Sequence, residues 1–202
     1  TAVTLALAKR SKLDSKDAVH RLTTGILLAW MVMYFRLMIA VSVVFSPLLK
    51  LLAPACICLS LACAAFAYYH WKRDLSHVSD DSVEIKNPFS LVVAMQFALL
   101  FALILFLVRL SEYYLPPSSI YGVAALAGLV DMDAITLSLS TAAIDNALMN
   151  QTAVAILLAS FTNTVVKFGM VFTLADRSMR QPMSIATGVL LGITLIAGYF
   201  LI

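Results

Sequence analysis

Leu51-Leu52-Ala53-Pro54-Ala55-Cys56-Ile57-Cys58-Leu59-Ser60-Leu61-Ala62-Cys63-Ala64-Ala65-Phe66-Ala67-Tyr68-Tyr69 is a run of nineteen residues without one charged side chain. A helix crosses a hydrocarbon core of ~30 Å with about 20 apolar residues at 1.5 Å each. Working outward, Phe89–Val108 and Met183–Ile202 are equally free of charge, whereas Leu22–Phe45, Ile120–Leu139 and Thr152–Ala175 are apolar but carry charge inside. The expectation is an all-α polytopic membrane protein of about six transmembrane helices. The composition agrees: 62% of the 202 residues are hydrophobic and 12% charged, where a soluble domain has about 25% charged. A soluble enzyme, a disordered chain and a disulfide scaffold are excluded, because a soluble fold cannot hide that much apolar surface. No alternation of about ten residues recurs, as a membrane barrel would require.

Pro47, Pro88, Pro116, Pro117 and Pro182 fall between spans or in their first turns, where a missing N–H costs least. Pro54 is read as the true start of the second span. Cys56, Cys58 and Cys63 lie in one apolar run and are read as packing residues. The segments 9–21, 70–88 and 140–151 carry eight Lys/Arg, against four for 46–50, 109–119 and 176–182. The positive-inside rule therefore puts 9–21 and 70–88 in the cytoplasm, and a bacterial inner membrane is expected. Thr1–Ala8 is apolar and runs straight into Lys9-Arg10, so it reads as the tail of a helix and the chain as the C-terminal part of a longer one, folded as a single transmembrane domain over 1–202.

That opening recurs. Ala2-Val3-Thr4-Leu5-Ala6-Leu7 is echoed by Ala134-Ile135-Thr136-Leu137-Ser138-Leu139, Ile26-Leu27-Leu28-Ala29 by Ile156-Leu157-Leu158-Ala159, and Arg36 by Lys167, at offsets of 130 to 132. An internal repeat is expected, with copies at roughly 1–50 and 133–180. Four crossings between them predict a parallel relation.

Gly128-Leu129-Val130-Asp131-Met132-Asp133-Ala134-Ile135-Thr136-Leu137-Ser138-Leu139, with Ala155–Ser160 and Asn163-Thr164-Val165-Val166-Lys167, resembles a bacterial membrane domain of unknown function. That domain is often found C-terminal to an MgtC/SapB-type membrane domain. The similarity extends to Thr1–Arg10, Arg36 and Lys86-Asn87-Pro88-Phe89. The resemblance implies a polytopic inner-membrane protein loosely associated with magnesium and transport, with an MgtC-like domain as a partner.

Four charges lie inside spans: Arg36, Asp131, Asp133 and Lys167. Each costs about 2.5–3.5 kcal/mol at the bilayer centre unless it pairs, meets water or binds something. Counting along the helices places all of them near mid-depth. Ser160, Asn163, Thr164 and Lys167 recur at helical spacing on one face, and Thr136 shares the face of Asp133. Asp131 and Asp133 are about 200° apart on an unbroken helix, so either one acid faces elsewhere or the helix is interrupted beside Gly128.

One reading makes Asp133 and Lys167 a buried ion pair that braces the helices; the other makes the cluster a hydrated ion site. The surplus of polar groups points to the second. The function expected is transport of a small ion, a cation first, with proton coupling or a magnesium link as options. Asp131 and Asp133 would hold a cation such as Mg or Na, Thr136, Asn163 and Thr164 would supply neutral oxygens, and Lys167 would compete for the acids. Arg36 and Lys167 binding an anion is an alternative, and a non-transporting module that regulates a partner protein is another. No enzyme is expected, since no nucleophile–base set or phosphate loop is present, and no resident cofactor or nucleic-acid partner is indicated. Gly188 and Gly192 form a G-x-x-x-G face suited to another helix, for instance in a homo-oligomer. Gln96 is assigned to packing, Tyr68, Tyr69, His70 and Trp71 to an interfacial belt, and Asp80-Asp81-Ser82-Val83-Glu84 to a solvated loop.

Overall fold

The computed structural model describes residues 2–11, 19–74, 119–145 and 149–201, with Met95, Leu99, Ala102, Leu103, Phe106 and Leu110 as isolated helical positions. The expected span Phe89–Val108, Gln96 and the acidic loop at 80–84 otherwise lie outside the described residues. Among the described residues the fold is all-helical, with seven α-helices. They are α1 (Ala2–Arg10), α2 (Val19–Val44), α3 (Ser46–Asp74), α4 (Ser119–Val130), α5 (Met132–Ala142), α6 (Met149–Leu174) and α7 (Arg177–Leu201). Four of them, α2, α3, α6 and α7, are long and apolar enough to cross a membrane.

Tight turns make two helical hairpins. Only Phe45 separates α2 from α3, its N–H still bonded to Val41 O at 2.9 Å. Pro47 follows in the first turn of α3, where a missing N–H is harmless. Ala175 and Asp176 separate α6 from α7, and the Asp176 carboxylate accepts the Ser178 N–H at 2.9 Å, capping α7. Pro54 does not begin the second crossing: α3 starts eight residues earlier at Ser46 and runs through it. A transmembrane helix tolerates proline because neighbouring groups re-satisfy the freed carbonyl.

The buried apolar residues form two clusters. One joins Leu37, Val41, Leu48 and Leu52 to Ile135, Leu139 and Ile156. The other joins Ile26, Leu27 and Trp30 to Leu59, Met179, Met183 and Leu190, with Ala8 of α1 included. Trp30 is 1% exposed, and its Nε1 donates to Thr4 Oγ1 at 3.1 Å, which ties α1 to α2.

The hairpins run in opposite senses. Val19 and His20, at the start of α2, share a cavity with His70 and Arg73, at the end of α3, and with Ser178 and Gln181, at the start of α7. The Asp176 N–H also donates to Ser11 Oγ at 3.0 Å. The end of α6 therefore lies beside the start of α2, and the two helices are antiparallel.

This corrects two expectations from the crossing count. The segment 176–182 lies at the same end as 9–21, not at the opposite one, and a parallel relation between the two halves is excluded. The count rested on every expected span crossing fully, and the Ile120–Leu139 segment is instead two short helices broken at Asp131, neither long enough to cross. The correction sharpens the charge asymmetry: Lys9, Arg10, Arg21, Lys72, Arg73, Arg177 and Arg180 occupy one end of the described residues, and Lys50 the other.

Candidate functional site

The helix expected over Ile120–Leu139 breaks at Asp131, and the break follows from that residue's chemistry. Asp131 N–H completes α4 by donating to Ala127 O at 2.9 Å. Its backbone then turns extended, at φ −151° and ψ 129°, while its side chain accepts the Asp133 N–H at 2.8 Å. A short acidic side chain competes with the helix for a backbone donor and becomes the cap of the next helix. One residue closes α4 and opens α5.

Gly128 sets how closely α4 approaches α6. A Cβ there would lie 2.7 Å from Ala159 Cα and closer still to Ala159 O and Thr162 Oγ1. The close approach lets Asn163 Nδ2 donate to Gly128 O at 3.0 Å. Thr162 returns its own hydroxyl to Leu158 O and Ala159 O at 3.2 and 3.0 Å.

The structure brings together some of the residues singled out and separates others. Asp133 pairs with Arg36, through Oδ2 and the guanidinium. Their side chains are 26% and 64% exposed, so the pair sits on the outer face of α2. Lys167 is 5% exposed and its Nζ lies 2.6 Å from Met33 Sδ, a weak acceptor. The bracing pair Asp133–Lys167 is therefore not formed. Thr164 Oγ1 donates to Ser160 O at 2.9 Å and lies 3.3 Å from the buried Tyr34 hydroxyl.

Two buried oxygens in this region have no hydrogen-bond partner: Thr136 Oγ1 and Asn163 Oδ1. Unpaired buried polar atoms are uncommon in native folds and each calls for an explanation. Among the described residues no three His, Cys, Asp or Glu side chains converge on one point. A cation held by Asp131 and Asp133 would therefore complete its shell from neutral oxygens such as these. Tyr34, Met33 and Thr162 were not singled out by sequence; nothing in an apolar run distinguishes a buried Tyr or Met at a polar centre from one in a core. Cys56 and Cys63 are buried and free, and Cys58 is exposed.

Long apolar helices packed around this polar centre define an integral helical membrane protein in contact with the bilayer. The chain belongs to the family described as "Domain of unknown function (DUF4010)", matched over residues 1–175. It is similar to an "Uncharacterized protein" of Aquifex aeolicus (strain VF5), 30% identical over 184 residues that cover 89% of this chain and 79% of that protein. No solved structure matches.

Proposed function

We propose that this protein is a membrane transporter that moves a small ion, a cation in the first instance, through a site at mid-depth between two inverted copies of one structural unit. The observation that carries the reading is the helix broken at Asp131 beside buried oxygens that have no partner. Transporters bind ions at such breaks because helix ends and freed carbonyls face the cavity.

The duplication is supported by helix boundaries and by packing. The helices α1, α2 and α3 start at 2, 19 and 46, and α5, α6 and α7 start at 132, 149 and 177, offsets of 130, 130 and 131. α1 packs on α6 while α5 packs on α2, the reciprocal pattern of a two-fold relation. Tyr34 and Thr164 are each fifteen residues beyond the first residue of their helices, Val19 and Met149, and they touch each other. An internal two-fold axis in the membrane plane would make positions related in this way meet at the centre. It also accounts for the antiparallel helices.

In this reading Asp131 and Asp133 hold the cation, with Thr136, Asn163 and Thr164 as neutral ligands. Arg36 and Lys167 are the charges the cation displaces or repels. An Arg36–Asp133 pair set on an outer face at depth is costly in lipid, which favours access of water to that face. The basic end is cytoplasmic, the membrane is a bacterial inner membrane, and the protein is a carrier or channel, not an enzyme. The partner that the sequence resemblance implies is an MgtC-like domain. A second copy docking at Gly188 and Gly192 suits the open space around both residues.

An anion reading is favoured by one feature: Lys167 touches a thioether and not a carboxylate. Flux of cations and of anions into vesicles separates the two. Asp133→Asn is expected to abolish cation flux in reconstituted vesicles while the protein stays folded. Wild-type cation flux in that variant discards the proposed role, and absence of flux of either sign in the wild type favours a module that regulates a partner.

A further inference from the structure

The two proposed copies set out their helices alike but differ sharply at one buried position. Trp30 is eleven residues beyond Val19, the start of α2, and Ser160 is eleven residues beyond Met149, the start of α6. Both are buried. Their neighbours on the short helices differ with them. Thr4, two residues beyond the start of α1, accepts from the Trp30 indole at 3.1 Å, whereas Ala134 holds the same place in α5. A buried tryptophan covers about 150–250 Å², and a serine a fraction of that. The pair α5–α6 packs without such a side chain, so this unit does not need the indole in order to hold together.

The place of the indole along the fold gives it a second meaning. Tyr34 and Thr164 meet at the centre. Trp30 stands one turn, ~6 Å, from Tyr34 on the side of the basic end, and Ser160 one turn from Thr164 on the opposite side. The face of α2 that carries the indole is polar on either side of it. Tyr34 lies four residues beyond Trp30 and Thr23 seven residues before it, spacings that keep all three on one face. Thr23 is buried, and its Oγ1 has no hydrogen-bond partner among the described residues. The indole therefore interrupts a line of hydroxyls that leads from the centre toward the basic end.

The contact that seats it is of a kind that opens. Where α4 meets α6 at Gly128, backbone lies against backbone. Where α1 meets α2, a Cβ added at Gly25 would meet one atom within 4 Å, the Leu7 side-chain tip at 3.0 Å. The Trp30–Thr4 bond likewise joins two side chains. Side-chain tips rotate aside without moving a helix, and backbone does not.

We infer that Trp30, seated on Thr4, is the barrier between the Asp131–Asp133 centre and the basic end, and that it clears the way when α1 parts from α2. The inference rests on the transport reading of that centre, in which an ion passes from one end of the fold to the other. On the far side of the centre the equivalent place holds Ser160, which has no bulk to displace. The structure is thus the form closed toward the basic end.

The test uses the full chain in vesicles of known orientation, with Cys56, Cys58 and Cys63 replaced by alanine. Thr164→Cys then reports on the centre, probed with a small impermeant thiol reagent added at one end at a time. With Trp30 in place it should stay unmodified from the basic end. Trp30→Ser, which gives α2 the residue that α6 carries, should speed modification from that end about tenfold, the factor that goes with about 1.4 kcal/mol of opening free energy. Trp30→Phe, which keeps most of the bulk, should speed it less. Thr23→Cys, on the basic side of the indole, should react from the basic end whichever residue stands at position 30.

Thr164→Cys modified from the basic end while Trp30 is present, or no faster after Trp30→Ser, would overturn the barrier. A rise of equal size from both ends in Trp30→Ser would mark loosened packing and overturn it too, as would Thr23→Cys that stays unmodified from the basic end. Faster modification from the basic end alone in Trp30→Ser, together with no ion flux in wild type, would leave the barrier standing and reject the transport reading.

Discussion

Replacing Gly128 with alanine forces a methyl group into the backbone of α6. The new Cβ would stand 2.7 Å from Ala159 Cα, with Ala159 O and Thr162 Oγ1 nearer still. Backbone cannot rotate aside as a side-chain tip can, so α4 must move away. Overpacking of this kind costs about 1–3 kcal/mol. The shift also breaks the 3.0 Å bond from Asn163 Nδ2 to Gly128 O, a further loss of about 0.5–1.5 kcal/mol. The total is about 2–4 kcal/mol, and at about 2–4 °C per kcal/mol for a chain of this size the melting temperature should fall by roughly 5–15 °C. Thermal unfolding in a fixed detergent measures it. Gly122→Ala and Gly169→Ala serve as controls, since a Cβ at either meets nothing within 4 Å, and they should melt at or slightly above wild type. A Gly128→Ala protein that melts with the controls would refute the close approach of α4 to α6.

Other expectations follow from the same contacts. Lys167→Met removes a buried charge whose hydrogen-bond partner is a weak thioether acceptor, so the variant should melt higher than wild type while losing flux; a lower melting temperature would mean the ammonium is satisfied after all. Trp30→Phe leaves the buried Thr4 hydroxyl without its donor, at a cost of about 1–3 kcal/mol, and hydrogen exchange in α1 should quicken more than in α3. Single cysteines at Lys9 and Arg177 should react with an impermeant thiol reagent from one side of the membrane, and one at Lys50 from the other. Labelling of Lys9 and Arg177 from opposite sides would reject the antiparallel arrangement of α2 and α6.

The long helices were legible in the sequence because length and lack of charge are one-dimensional properties. The break at Asp131 was legible too: acids at two-residue spacing cannot both face one partner across an unbroken helix, and Gly128 stood beside them. Depth along a helix can be counted, and the count put Arg36, Asp133 and Lys167 at similar levels. Direction around the axis could not be. Asp133 turned out to meet Arg36, while Lys167 went to Met33, a residue with no sequence signal of its own. The sense of α7 was lost for another reason. Its side of the membrane was inferred by adding crossings, with Ile120–Leu139 counted as a full one, and one mistaken crossing inverts everything after it. The hydrogen bond from Asp176 N–H to Ser11 Oγ restores the sense directly.

Water at Thr136 is the claim on which the transport reading stands. With Cys56, Cys58 and Cys63 replaced by serine or alanine and Thr136 by cysteine, the purified protein in vesicles can be exposed to a small impermeant thiol reagent from either side. The account predicts that the cysteine reacts from at least one side and that the transported cation slows the reaction. A cysteine at this buried position that stays unmodified from both sides, in protein that is otherwise folded, would contradict it.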